Sequence, residues 1–589
     1  VNCYDFIGIR FHLKIQSKKE KNLLGLHIAD LLVLIFYLVI IVLIGFRAMK
    51  SIRNIGEFFM PRRFGKTLMV MFTFGTGTHA DQAVSVASAS YSNGLSGIWY
   101  QWLWLFATPF YWLIAPIMRR FRAITTADVF EARFNRSLAM LYAFVGTVTL
   151  MISIGVMLKG SGAVIDATTG GVVPANLAIV IMTVVFVIYG VAGGLHAAII
   201  TDFIQGVLTI ILSFILLPSI LNAVGGLSGM REIIQDPKMF SLVSPAEIGV
   251  FYVVIIAFNA LIGIVTQPHT MANCAAGRTE LDGQVGFMGG SFLKRFCTVA
   301  WSLTGLAAVA YFAGQQFDPD LIFGKVARQF LPQILPGMIG LFLASVLASV
   351  MSSCDAFMIS SSGLFTENAY KKLIPHKSQN HYLTVARLVS LMVVLGGVAF
   401  AYWLPGVIKG LEIFWKVPSM MGIAFWLGLF WRRMTSAGAW ASTIAGFSAW
   451  FLTTRSFFIS FLENLPFADS WRLVIERSWG IEMYLPWQMV FYLVIGTVVG
   501  IVVSLFTKMV KQEKLENYYA LLRTPVKGGE KVLDPCTLPE GAVVPPRNVL
   551  FPNMNLEISK PSRNGILGFV VGWMFVVGII LMVVLISRG

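Results

Sequence analysis

Charged side chains are scarce. Asp, Glu, Lys and Arg make up 13% of the 589 residues, against 57% hydrophobic. A soluble domain carries roughly a quarter of its residues as charges to cover its surface, so this composition excludes an ordinary soluble protein. Cysteine is sparse too. Cys3, Cys274, Cys297, Cys354 and Cys536 show no CxxC spacing and no metal pattern, which excludes a disulfide framework and a structural zinc site. No nucleophile elbow, zinc-protease helix or phosphate loop is present, so the chain reads as a non-enzyme. A repeated potassium-channel filter is absent as well. No cleavable signal peptide is expected, because the first apolar run follows a polar stretch of about 26 residues and is long enough to span. Val1 in place of Met points to a trimmed or incomplete N-terminus.

Long apolar stretches, in contrast, recur from end to end. Each is about 20 residues, the length that crosses a bilayer as a helix. The fold class expected is an all-α polytopic membrane protein. Fourteen candidate spans lie near 27–49, 68–91, 98–118, 138–160, 174–192, 199–222, 246–267, 294–314, 336–362, 383–405, 411–431, 436–456, 486–507 and 566–586. The formal net charge is +16, but the Lys and Arg sit mostly in short loops. That placement fits loops facing anionic lipid and not nucleic-acid binding. Odd-numbered loops hold most of it: Lys50, Arg53, Arg62, Arg63 and Lys66; Arg119, Arg120, Arg122, Arg133 and Arg136; Arg278; Lys371, Lys372 and Lys377; Arg432 and Arg433; then a basic stretch from Lys508. The positive-inside rule puts these loops in the cytoplasm and both termini outside, in a cell (inner or plasma) membrane. Lys14, Lys18, Lys19 and Lys21 argue the other way, as one tail against six loops. Residues 508–565, rich in Pro and Gly, read as a long cytoplasmic connection with little regular structure. Trp99-Tyr100-Gln101-Trp102 with Trp104 reads first as an interfacial aromatic belt.

Polar residues interrupt this pattern at few places. Gly75-Thr76-Gly77-Thr78-His79-Ala80-Asp81-Gln82 falls within the second span. Polar groups at that depth are costly and face a cavity or a partner. The glycines let the helix open and expose backbone carbonyls. In the ninth span Ser349, Ser352 and Ser353 share one helical face by their spacing. Three hydroxyls there suit a small hard cation, or serve close helix packing; taken with the broken second span, the ligand reading gains. Asp355, in the same span, needs a cation, a proton or a polar partner. Asp202 follows Gly193-Gly194, read as a tight turn, and is either a functional carboxylate or a helix N-cap. The seventh span holds Asn259 and ends in Thr266-Gln267-Pro268-His269, where the proline kinks it. Lys294 stands at the opening of the eighth span, with snorkelling to the interface as its plain alternative. Interrupted helices with midplane polar groups mark secondary transporters.

These stretches, with Gly193-Gly194…Thr201-Asp202-Phe203-Ile204-Gln205, the run Ser349 to Tyr370 and the arginine-rich passage 119–134, resemble the sodium/solute symporter family over about 27–507, the fourteen spans being like its sodium–glucose branch. The resemblance implies LeuT-type inverted five-helix repeats at 68–222 and within 246–456, the latter followed by one further helix. It sets them between a first segment (1–50, an extracellular N-terminus and first helix), an additional helix at 486–507, the 508–565 cytoplasmic loop and a C-terminal helix at 566–589. It implies sodium-coupled symport of a small polar organic solute, a sugar or sugar-like compound first, with an amino acid, carboxylate or vitamin as alternatives. One or two Na+ ions are implied, on carbonyls of Gly75 and Thr78 and on Ser349 (through its carbonyl), Ser352 and Ser353, with Asp202 at a second site. Gln82, Gln101, Asn259 and Lys294 match solute contacts, and His79 and Asp81 fall where substrates differ. The partners expected are the solute and membrane lipid, with the protein a monomer or weak oligomer. A transporter-like sensor is the reading from another class, and the short irregular 508–565 stretch counts against it.

Overall fold

The computed structural model describes residues 25–49, 59–244, 248–477, 480–530, 532 and 534–588; Lys14, Lys18, Lys19, Lys21, Lys50, Arg53 and Cys3 lie outside them. The described chain is a helical bundle. Its main helices are α1 (Ile28–Met49), α2 (Lys66–Gly77), α3 (Ala80–Asn93), α4 (Thr108–Arg120), α5 (Thr126–Arg133), α6 (Arg136–Thr169), α7 (Ala175–Phe214), α8 (Val250–Ile264) and α9 (Glu280–Tyr311). There follow α10 (Ile322–Ile334), α11 (Met338–Phe365), α12 (Gln379–Trp403), α13 (Val407–Phe430), α14 (Ser436–Thr453), α15 (Leu485–Phe506), α16 (Gln512–Arg523) and α17 (Arg563–Arg588). An antiparallel hairpin, β1 (Val474–Arg477) with β2 (Gly480–Met483), precedes α15. Among the described residues, seven helical stretches are long and apolar enough to cross a membrane, and α11 is the most enclosed of them by neighbours.

The loops sort into two faces. On one, Arg120 forks to Glu280, Lys372 pairs with Glu131, Arg432 pairs with Glu557, and Phe64 bridges Gly277. On the other, Ser88 donates to Asp320, Lys409 pairs with Glu482, Trp99 donates to the Leu242 carbonyl and Tyr402 to that of Asn176. The first set joins only loops numbered odd from the sequence; the second joins two even loops, through Lys409 and Glu482, and otherwise involves the span ends that border even loops. Asp30 at the start of α1 accepts from the Gly340 N–H at 2.9 Å, and a Cβ on Gly340 would lie 2.2 Å from the Asp30 carbonyl. This contact locks α1 onto α11.

Several expectations are corrected. Residues 193–194 are not a turn: α7 is helical throughout, and Asp202 lies well inside it, so it is not an N-cap. Lys294 does not open a helix, because α9 begins at Glu280, where Thr279 and Asp282 form a capping box. The Gly-rich run that looked like a loop is helix packed against α2. A Cβ on Gly286 would meet the Met69 side chain at 2.6 Å, and one on Gly290 the Val70 carbonyl at 2.6 Å. The aromatics Trp99, Tyr100, Trp102 and Trp104 are buried in protein, not spread in an interfacial belt. The segment 508–565 is not wholly irregular, since it contains α16.

That segment is laced across the odd-loop face. The buried Arg122 guanidinium pairs with Glu530 and donates to the Thr524 and Pro525 carbonyls, while the Val526 N–H donates to Glu280. Burial pushes the Glu530 carboxyl up, but the hydrogen bond and charge of Arg122 outweigh it and hold it below its usual 4.5. The stabilisation is therefore complete above the ordinary Glu range and is lost as pH falls through the lowered value. Glu530→Gln is expected to speed tryptic cleavage at Lys527 at neutral pH. An unchanged cleavage rate would show that the pair does not hold the segment.

Candidate functional site

The second span is broken at its glycine-rich polar run, as expected. Thr78 (φ −133°, ψ 110°) and His79 (φ −138°, ψ 163°) are extended between α2 and α3. The break leaves the last carbonyls of α2 and the first N–H groups of α3 without intrahelical partners. Gly75, Gly77 and the polar residues around them allow this at low cost. A second interruption follows α8, where residues 265–269 are non-helical before a short helix at Thr270–Ala275.

Oxygens from three helices meet beside the first break. Ser353 of α11 donates to the Gly75 carbonyl at 3.0 Å, and Ser352 donates to Asp202 Oδ1 of α7 at 2.6 Å. A Cβ on Gly75 would lie 2.6 Å from Ser352 Oγ and 3.5 Å from Asp202 Cβ, so only glycine permits this approach. Ser349 turns its hydroxyl to the Val346 carbonyl of its own helix at 2.8 Å. All these residues are buried. Asp202 Oδ2 and Thr78 Oγ1 have no hydrogen-bond partner. Leaving such atoms dry and unpaired is expensive. An all-oxygen set with a carboxylate suits a small hard cation and offers nothing to a thiophilic metal.

A cavity of about 60 Å³ adjoins the break. Of the expected solute residues, His79, Gln82 and Lys294 line it. Asp81 stands behind His79, whose Nδ1 contacts its carboxylate; Gln82 Nε2 lies 3.0 Å from His79 Nε2. The Gln82 amide N–H can only donate, so the imidazole accepts at Nε2 and is held in one orientation. Lys294 Nζ donates to the Gly77 carbonyl at 2.6 Å and sits 5.3 Å from the centre of the Trp104 ring. It neither snorkels nor reaches an interface, being 7% exposed.

Two expected residues lie elsewhere. Asn259 donates to the Trp415 carbonyl at 3.0 Å and accepts from Tyr492 Oη at 2.5 Å, so it joins α8 to α13 and α15. Gln101 is buried off the cavity; its backbone carbonyl accepts from Arg295. The cavity instead includes Gln267, His269, Asn273, Ser291, Arg295 and Trp104, none of which the sequence singled out as a contact. The signal for three of them was Pro268, whose segment is the second break and not merely a kink. Trp104 was hidden by its resemblance to a membrane-interface tryptophan.

Comparison with known proteins gives the family and the fold. The sequence profile of the Sodium:solute symporter family matches residues 58–446. The sodium/pantothenate symporter of Escherichia coli (strain K12) is 26% identical over 71% of this chain and 88% of its own length. The high-affinity proline transporter of Bacillus subtilis (strain 168) is 28% identical over 69% and 88%. The sodium/glucose cotransporter of Vibrio parahaemolyticus is 24% identical over 76% and 88%. Among solved structures, a Na+-coupled sialic acid symporter in a substrate-bound outward-open state superposes with a TM-score of 0.68 at 18% identity. It covers 82% of this chain and 98% of its own, a likeness of fold. With the family profile spanning well over half of its residues, the chain belongs to the sodium:solute symporter family.

Proposed function

We propose that this protein, a sodium-coupled secondary transporter of a small organic solute by family, binds Na+ between α2, α7 and α11 and the solute in the adjoining cavity. The ligands would be carbonyls of Gly75, Thr78 and Ser349, the hydroxyls of Ser352 and Ser353, and, for this ion or a second one, Asp202. The observation that carries the reading is the meeting of Gly75, Ser352, Ser353 and Asp202 at a helix break, with a carboxylate oxygen left unpaired.

The two interruptions, at 78–79 and 265–269, fall at corresponding places in the two inverted LeuT-type repeats that the family resemblance implies. Such paired breaks mark the substrate and ion sites of transporters built from inverted repeats. The segregation of odd and even loops supports the fourteen-span arrangement, with the odd face cytoplasmic. Sodium bound across the break would favour the state with a formed solute cavity. Each ligand must strengthen the other's binding for the coupling to hold. The membrane potential adds about 2.3 kcal/mol per charge per 100 mV to inward sodium movement.

Joint replacement Ser352→Ala and Ser353→Ala removes both cross-helix hydroxyls and is expected to raise the sodium concentration needed for half-maximal stabilisation at least about tenfold, since two ligand bonds near 1 kcal/mol each are lost. Thermal unfolding in sodium chloride against choline chloride measures it. A double variant with the native sodium midpoint would remove these hydroxyls from the site.

A further inference from the structure

We propose that the transported solute is an organic anion, a carboxylate carried on a compact apolar body, with Lys294 as the group that recognises its charge. The inference rests on the preceding assignment of the cavity as the solute site and goes further by naming the solute's chemistry. It sets the solute apart from the uncharged sugar that the sequence resemblance puts first.

The charges around the cavity do not balance. Lys294 and Arg295 both contribute to its wall, and no Asp or Glu does among the described residues. The nearest acid, Asp81, has its carboxylate on His79. Counting Asp81 against one cation still leaves one positive charge over. Asp202 and the buried Asp355 do not redress this: neither lines the cavity, and Asp202 belongs to the oxygen cluster where sodium would balance it. Arg295 donates to the Gln101 carbonyl at 2.7 Å through Nη1, and its Nε is buried without a partner. Lys294 uses one of its three ammonium donors, on the Gly77 carbonyl at the break itself.

An ammonium this deep is costly unless an anion compensates it. The Gly77 carbonyl and the Trp104 face supply partial charges only. Sugar hydroxyls would accept its remaining hydrogen bonds but leave the net charge in place; a carboxylate does both. The break adds to the preference, since the N-terminal end of α3, a helix of 14 residues, lies at the cavity through His79, and helix N-termini favour negative charge. The other walls fit a non-polar body: Trp104, Tyr111, Ile264, Phe287, Phe357 and Phe414. His269 Nδ1 and Asn273 Oδ1 are buried without partners and would receive polar substituents on that body.

The test is thermal unfolding of the full-length protein in sodium chloride and in choline chloride, with acid and amide pairs of equal shape: lactate and lactamide, benzoate and benzamide, pantothenate and pantothenamide. Pyruvate, glucose and proline complete the panel. At least one carboxylate is expected to raise Tm in sodium at a concentration tenfold or more below that needed for its uncharged partner. Lys294→Met should abolish this shift and keep the shift given by sodium alone, which also reports that the variant is folded; Lys294→Arg should keep part of the anion response. The proposal is overturned if no carboxylate stabilises the protein, if glucose or proline alone does so, if an amide equals its acid, or if Lys294→Met responds as the native chain. The acid–amide comparison on the native protein stands even where a variant fails to fold. Failure of the underlying reading looks different: a carboxylate that stabilises equally in choline and in sodium keeps the anion site and removes the sodium coupling.

Discussion

Asp202→Asn is expected to weaken sodium binding on the order of 100-fold, about 2.7 kcal/mol, with the fold intact. Asparagine keeps the shape and still accepts the Ser352 hydroxyl that now lies 2.6 Å from Asp202 Oδ1. What it removes is the charge, together with the unpaired Oδ2. The two consequences have opposite signs. In sodium the variant loses the ligand's contribution to stability, which grows with the logarithm of sodium concentration over Kd. In choline the variant should melt above the native protein, because an uncompensated buried carboxylate no longer has to be accommodated. Sodium titrations of Tm on both proteins measure both effects. A variant that melts lower in choline and keeps its sodium midpoint would show that Asp202 is a packing residue.

Arg133→Met should destabilise the whole bundle by about 3–5 kcal/mol, since several buried carbonyls lose their donor at about 1–3 kcal/mol each. Arg133 ends α5 and is buried. Its Nε donates to the Gly428 carbonyl at 2.7 Å, and Nη2 to those of Trp431 at 3.0 Å and Met434 at 3.2 Å. Gly428 and Trp431 lie in and just past the last turn of α13, where carbonyls lack intrahelical partners and the helix end is negative. One guanidinium thus caps a helix from another part of the sequence. Methionine replaces the stem but none of the donors, so the carbonyls are left buried and unpaired. Arg133→Lys should recover less than half of the loss, since a compact ammonium does not span the fork. Thermal unfolding decides this, and the sodium midpoint should stay where it is. A fall in Tm no larger than that of a surface substitution would mean that Tyr519, which also donates to Gly428, caps the helix unaided.

The parts of this molecule that were legible in the sequence are those where composition and local geometry coincide. The break at Gly75–His79 was visible because glycine and polar residues have no other reason to gather in an apolar helix. The serine face of α11 was visible because helical spacing is fixed. What stayed hidden depends on which helices touch. The glycines of 283–290 look like a loop until α2 is seen packed on them, and this displaced the start of α9 and put Lys294 at an interface. Asn259 has the composition of a ligand but meets Tyr492, more than two hundred positions away, and no periodicity encodes that meeting. Arg295 was overlooked beside Lys294 because a single sequence does not say which of two adjacent cations the cavity uses.

The segment laced across the odd-loop face reaches both halves of the bundle. It holds Arg122 in the first half through Glu530, and Arg432 in the second through Glu516 and Glu557. Any motion that parts those helix ends has to shed these bonds, and each 1.4 kcal/mol so added slows or disfavours the opening about tenfold. Loosening the 524–557 stretch is therefore expected to change how readily those helix ends part, while the cavity, which none of its residues lines, keeps its walls.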